Sequence, residues 1–250
     1  MKKIKILTSN NTKKDNCVLI LGGSSDIGIN LINKFIKEDW RVICHYNKNS
    51  NKINKLKKTY KTKLITFKAN FESASSIKKF VTFIKNKDIK SLVNLVGYLD
   101  NVSYKNTSIK SLSKSLQINS LVPLIIQKNL TENMVKKKFG RIVHASSIGV
   151  KYGGSEFTFN YSYSKHALEY ISSYVKNLAK FNILSNVVRI GVVDTKLLRR
   201  VRRKNIIKRK KLIPIKRLAT KDEISDMIFF LGSEKNTYIS GENVSISGGE

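Results

Sequence analysis

Tyr161 and Lys165 are four residues apart, the spacing that places two side chains on one face of a helix. A phenol ordinarily ionises near pH ~10, and an ammonium beside it favours the phenolate. A tyrosine so placed can exchange a proton with a carbonyl or alcohol oxygen near neutral pH, the work of a general acid/base. Ser146 and Ser147 close the preceding apolar run, Gly140-Arg141-Ile142-Val143-His144-Ala145, and offer hydroxyls to such an oxygen. A second cluster, Gly22-Gly23-Ser24-Ser25-Asp26-Ile27-Gly28, joins an apolar run to an amphipathic one. Amides at a helix N-terminus that opens from a glycine-rich turn can hold a pyrophosphate. Each feature alone also occurs where nothing is bound. Tyr and Lys fall four apart by chance in a chain rich in both, and a plain strand-to-helix turn uses glycine too.

Both clusters need elements that bring them to one place. Cys17–Leu21, Arg41–Cys44, Leu64–Phe67, Leu92–Val96, Arg141–Ala145 and Asn186–Val188 are short, β-branched runs that predict strands buried on both faces. Between them, Ile27–Lys37 and Ile77–Ile84 have helical spacing. This alternation predicts an α/β fold, a Rossmann-type doubly wound parallel sheet of about seven strands with helices on both faces. Ligands of such sheets bind beyond the carboxyl ends of the strands. The chain has only 13 glycines, and Gly22, Gly23, Gly28, Gly97 and Gly191 stand after strands, where backbone turns tightly or approaches a ligand. No repeat or Pro/Gly-rich linker divides the chain. A flexible basic tail is expected over residues 1–16, then one domain over 17–250.

An acidic residue about 20 positions after a glycine turn usually binds a ribose 2′-hydroxyl. Here the second strand runs into His45-Tyr46-Asn47-Lys48, with no carboxylate. Lys48 suits a 2′-phosphate, so NADP(H) is favoured over NAD(H).

The formal net charge of +31 invites a nucleic-acid or anionic-membrane reading. Yet each successive block of fifty residues carries between +5 and +9, so the excess is spread along the chain. With 24 Asn and 6 Ala, the composition is what an AT-rich coding sequence favours. One stretch stands above that background: Arg199 to Lys211 holds nine basic residues and no acidic one. Two cysteines, Cys17 and Cys44, cannot build a disulfide framework and fit a reducing, cytoplasmic setting. No apolar run reaches the ~18 residues of a membrane span. His144 and His166 lack partners at ligand spacing, and no metal is expected; His45 is a candidate for lining the cofactor site.

Together, the glycine turn, the serine pair after a central strand and Tyr161-Ser162-Tyr163-Ser164-Lys165 resemble the short-chain dehydrogenase/reductase family, over about Cys17 to Gly249. The resemblance implies that Tyr161 is the acid/base and that Lys165 holds the nicotinamide ribose and lowers the tyrosine pKa. It also implies that Ser147, 14 positions before Tyr161, orients the carbonyl, with Ser146 as fallback. Asn119, in Leu116-Gln117-Ile118-Asn119, matches the asparagine that completes a proton relay through water. Cofactor contacts are implied for Gly22, Ser24, Ser25, Asp26, Ile27, Gly28, Tyr46, Lys48, Asn70, Phe71, Asn94, Val96, Gly97, Gly191, Val193 and Thr195, besides Tyr161 and Lys165. Three positions depart from the family pattern. Leu21 replaces a usual Thr, Asn70 a usual Asp, and Asp26 the middle glycine of the turn, where its side chain could repel phosphate or turn away to cap the helix.

The implied reaction is NADP(H)-dependent reduction of a carbonyl, with substrate choice resting on a lid over residues 195–217. Within the family, Met134 to Arg141 resembles the 3-oxoacyl-(acyl-carrier-protein) reductases, and a basic surface near the active site, Lys136 to Arg141, suits an acidic carrier. A sugar or nucleotide-sugar substrate is the alternative, with Arg199 to Lys211 meeting a phosphate. A reading of another class, a nucleic-acid binder using that strip on the same fold, is disfavoured by the intact site chemistry. The C-terminal Ser247-Gly248-Gly249 resembles a signature at subunit interfaces and implies a homotetramer or dimer; no nucleic-acid or membrane partner is expected.

Overall fold

The computed structural model describes residues 16–48, 50–201 and 205–250. Most of the tail expected over residues 1–16 lies outside them. Asn16 does not behave as tail: it is buried, its carbonyl accepts the Arg41 N–H at 2.8 Å and its Oδ1 accepts Lys90 Nζ at 2.9 Å.

Seven parallel strands form one sheet in the order β3-β2-β1-β4-β5-β6-β7. They are β1 (Cys17–Leu21), β2 (Arg41–Tyr46), β3 (Leu64–Lys68), β4 (Ser91–Asn94), β5 (Gly140–Ser147), β6 (Ile183–Ile190) and β7 (Asn243–Ile246). The doubly wound sheet expected from the sequence is therefore present, with strand order reversing between β1 and β4. The last two residues of the expected run Leu92–Val96 leave the strand, because Asn94 Oδ1 accepts the Val96 N–H at 3.1 Å and turns the chain.

On one face lie α1 (Asp26–Lys37) and α2 (Ser50–Tyr60); α3 (Ala74–Lys85) covers the other. A long helical passage follows: α4 (Ile109–Leu116), a π turn at Gln117–Leu121, and α5 (Val122–Lys137). Then come α6 (Phe159–Leu168), α7 (Ser173–Asn177), α8 (Lys196–Arg200), α9 (Ile206–Leu212) and α10 (Lys221–Gly232). Alternation along β1 divides the core. Val18 and Ile20 pack with Leu31, Phe35 and Phe229 on the face of α1 and α10, while Leu19 and Leu21 pack with Phe80, Ile126 and Leu130 on the other. Phe35 meets Trp40 and Phe229 edge-on, with centroids 5.3 and 4.8 Å away. All six pairings are parallel, so the carboxyl ends of the strands share one edge, where Leu21, Asn94 and Ser147 end theirs.

Candidate active site

Ser147 ends β5, and Tyr161 and Lys165 occupy successive turns of α6. Ser147 Oγ accepts the Gly149 N–H at 3.1 Å, which fixes the hydroxyl against its own turn. The same side chain lies close enough to the Tyr161 phenol to favour its ionised form. Lys165 is buried; its Nζ donates to Val96 O and Ala145 O, both at 2.6 Å, and lies 6.0 Å from the centre of the Tyr161 ring.

The ammonium therefore points at carbonyls of the β4 and β5 ends. The tyrosine pKa, expected to fall beside a lysine, moves the other way. Burial pushes Tyr161 up to about 12 against the opposing pull of Ser147. Burial also brings Lys165 down to about 7, with the Glu169 carboxylate acting in opposition. Desolvation sets both directions, and Lys165 spends its protons on the two carbonyls.

Beneath this set lies a buried polar chain. Val96 N–H donates to Asn94 Oδ1, Asn94 Nδ2 donates to His144 Nδ1 at 3.1 Å, and His144 Nε2 donates to Gln127 Oε1 at 2.6 Å. Burial, then the Lys165 charge, lowers His144 to about 3, so it stays neutral and holds one tautomer. Asn119 sits in the π turn, fully buried, and spends its side chain on the Tyr98 N–H (2.6 Å), Tyr98 O (3.0 Å) and Ser164 Oγ (2.8 Å). The side chain of Asn119 is thus committed to structure. Single π turns inside α-helices are frequent at functional sites.

The glycine turn forms as expected. Gly22 has φ +73°, and a Cβ there would lie 3.1 Å from the Leu95 backbone; a Cβ at Gly28 would lie 2.6 Å from Gly23 O. Ser25 caps α1 by accepting the Gly28 N–H at 3.1 Å. In a helix the first amides have no intrahelical acceptor, so those of Asp26 and Ile27 can face an anion. Gly97 leaves a slot in which a Cβ would sit 3.8 Å from Tyr161 Cε2. The turn, the helix end and this slot fit a dinucleotide. Asp26 is the exception: Oδ2 accepts the Lys196 N–H at 2.9 Å, and Oδ1 accepts Lys52 Nζ at 3.1 Å. Burial would raise its pKa, but these two partners outweigh it and hold the carboxyl below its ordinary range. Ser25 rather than Asp26 does the capping, because the Asp26 side chain reaches to the start of the lid.

A family description, enoyl-(acyl-carrier-protein) reductase, within the short-chain dehydrogenases, matches residues 22–250. The chain belongs to the short-chain dehydrogenase/reductase family. As a member it is a NAD(P)-dependent oxidoreductase acting on carbonyl and alcohol groups. It is 31% identical over 183 residues to a 3-oxoacyl-(acyl-carrier-protein) reductase of Aquifex aeolicus, covering 72% of this chain and 73% of that one. It is 32% identical over 160 residues to the enzyme of the same name from Buchnera aphidicola subsp. Schizaphis graminum, covering 62% of this chain and 61% of that one. A solved NADPH-dependent reductase involved in bacilysin biosynthesis shares the fold, with TM-score 0.84, 21% identity, and 94% and 98% of the two chains covered.

Several residues expected to contact the cofactor also hold the surrounding structure together. Phe71 is buried and stacks on His45, centroids 4.1 Å apart, and its carbonyl accepts Gln117 Nε2 at 2.8 Å. Asn94, expected beside an adenine ring, has its side chain inside the sheet. His45 lies beneath the turn: Nδ1 accepts the Gly22 N–H at 3.2 Å and Nε2 donates to Ala69 O at 3.1 Å. Burial lowers it to about 4. Asn70 Oδ1, the acceptor expected for adenine, takes the Glu72 N–H at 3.1 Å. Tyr46 is half-buried at the end of β2, Lys48 and Asn70 are exposed, and Ser24 is half-buried in the turn. Val96 and Val193 are buried, and a Cβ on Gly191 would lie 2.8 Å from Ile246 O. Thr195 caps α8, its Oγ1 accepting the Leu198 N–H at 3.4 Å.

Two further expectations change. The Lys136–Arg141 strip is not near the active site, since Gly140 and Arg141 begin β5 and Ser147 ends it. Arg141 is buried, its guanidinium donating to Asn236 O, Gly140 O and Asn182 O at 2.8 Å. The Arg199–Lys211 strip is partly neutralised: Arg199 pairs with Asp194 at 3.1 Å, and Arg209 pairs with Glu250; residues 202–204 lie outside the described residues. A cavity of about 620 Å³ opens between the first turns of α1 and α10 and the start of the lid, lined by Asp26, Thr195, Lys196 and Lys221 among others. Sequence reasoning missed Glu169 and Arg189. Arg189 donates to both Glu169 oxygens at 2.7–3.1 Å, and nothing local in the sequence marks the pair.

Proposed function

We propose that the protein uses NADPH to reduce the 3-oxo group of an acyl thioester, in the manner of a 3-oxoacyl-(acyl-carrier-protein) reductase. The observation that carries this reading is the gathering of Ser147, Tyr161 and the buried Lys165 beside the slot at Gly97. The bound dinucleotide would supply hydride to the carbonyl carbon. Tyr161, held protonated at neutral pH by burial, gives its proton to the carbonyl oxygen. Ser147 orients that oxygen by hydrogen bond. Lys165 stabilises the phenolate left behind and holds the ribose. Any part Asn119 takes in returning a proton falls to its backbone within the π turn.

The names of the two curated relatives support the thioester, and exposed Lys48 at the end of β2 supports the 2′-phosphate. A complement of two cysteines, Cys17 and Cys44, both buried, agrees with a reducing, cytoplasmic setting. Exposed apolar side chains, Leu121 at the end of the π turn, Ile125 on α5, and Tyr238 and Ile239 before β7, support a dimer or tetramer. No helix among the described residues is long and apolar enough to cross a membrane. The test is NADPH oxidation with an acetoacetyl thioester. Turnover well above that with NADH is expected, and folded protein that binds NADPH without turnover would overturn the substrate reading.

A further inference from the structure

Glu169 closes α6 one turn beyond Lys165 and is buried. Its Oε1 accepts the Ser146 hydroxyl at 2.6 Å, and both oxygens accept the Arg189 guanidinium from β6. Ser146 adjoins Ser147, and its Oγ also lies 3.5 Å from Lys165 O. One carboxylate therefore braces the strand that carries Ser147 and the helix turn that carries Lys165.

The charge around Lys165 makes this brace electrical as well. Its Nζ is enclosed and donates to two neutral carbonyls. The titratable groups facing it are Tyr161 and Glu169 from its own helix and neutral His144 from β5, with Arg189 of β6 behind Glu169. A buried ammonium with no counter-charge sheds its proton. Glu169 supplies the negative charge, and Arg189 offsets part of it.

The geometry points to Glu169 and Arg189 as a positioning pair that sets how readily Lys165 keeps its proton, Glu169 holding it on and Arg189 limiting that hold. This rests on the reading of Tyr161, Ser147 and Lys165 as the reacting set. A pair that only braced α6 against β6 would cost stability on removal and leave the lysine titration where it was.

The test is a pH titration of the full chain labelled with ¹³Cε-lysine, followed by NMR, with the Lys165 signal identified by its loss in Lys165→Met. Burial places the wild-type lysine at about 7. Glu169→Gln is expected to move it down by about one pH unit, and Arg189→Gln to move it up by a similar amount. The alkaline limb of kcat/KM should move in the same two directions. Unmoved titration in either variant overturns the inference, and if Glu169→Gln does not fold, Arg189→Gln alone decides it. Opposite shifts without carbonyl reduction by the wild type would uphold the pair while sinking the catalytic reading.

Discussion

The Asp26 carboxylate accepts the backbone N–H of Lys196 at 2.9 Å, across 170 residues of chain, and so fastens the dinucleotide turn to the first turn of the lid. A charge that the family pattern leaves out thus stands in the glycine turn proposed to hold the cofactor phosphates, kept ionised by Lys196 and Lys52. Replacing it by glycine is expected to tighten NADPH binding about fivefold, the effect of removing one like charge near a phosphate in a well-solvated site. Calorimetric titration would measure it; unchanged or weaker binding would show that the lid contact matters more than the repulsion.

Tyr161→Phe removes the proposed proton donor and leaves the ring in place. Carbonyl reduction should fall by at least ~10²-fold, with NADPH binding kept and thermal stability close to wild type. A protein that merely bound a ligand on this fold would be indifferent to the change.

Acid should destabilise the fold through its two buried imidazoles. His45 and His144 are held to about 4 and about 3, below the ordinary value of 6.5, chiefly by burial. The unfolded chain therefore binds protons that the folded chain refuses. The resulting stability is complete above pH 6.5 and is lost as pH falls from there toward 4 and then 3. Each histidine contributes on the order of 3 kcal/mol across that window. Urea unfolding at pH 7 and pH 4.5 would read the difference; equal midpoints would contradict it.

Lys48→Ala tests the choice of cofactor. Loss of a charge-assisted contact to a 2′-phosphate costs about 1.5 kcal/mol, so KM for NADPH should rise about tenfold while KM for NADH stays put. Equal changes for both would remove Lys48 from that role.

At Gly28 a methyl group would meet the Gly23 backbone at 2.6 to 2.7 Å, and neither segment has a flexible side chain to yield. Gly28→Ala should destabilise the fold by about 1–3 kcal/mol and weaken dinucleotide binding with it. Chemical denaturation together with a binding titration would show whether the two losses travel together.

Much of this architecture is local and therefore visible in the chain. The apolar run Cys17–Leu21 is β1 to the residue, and the span Ile27–Lys37 lacks only Asp26 of α1. Periodicity and glycine placement act over a few residues, and the resulting strands leave little choice of sheet. The Tyr161–Lys165 spacing and Ser147 were legible for the same reason, because each sits at a fixed offset from the end of an element.

What tertiary structure alone decided is where side chains spend their hydrogen bonds. The buried side chains of Asn94 and Asn119 find their partners in His144 and Ser164, from elements distant in the chain. Arg141, read as surface charge, is enclosed because the start of β5 lies among carbonyls of the segments at Asn182 and Asn236. The direction of the Tyr161 shift depends on whether Lys165 faces the phenol or the Val96 and Ala145 carbonyls, which four-residue spacing does not specify. Asp26 with Lys196, and Glu169 with Arg189, join residues from separate elements, so no local pattern announces them. Sequence by itself determined the sheet, the turn and the residue types of the proposed site. The fold decided their charges, because charge depends on burial and on partners brought in from far along the chain.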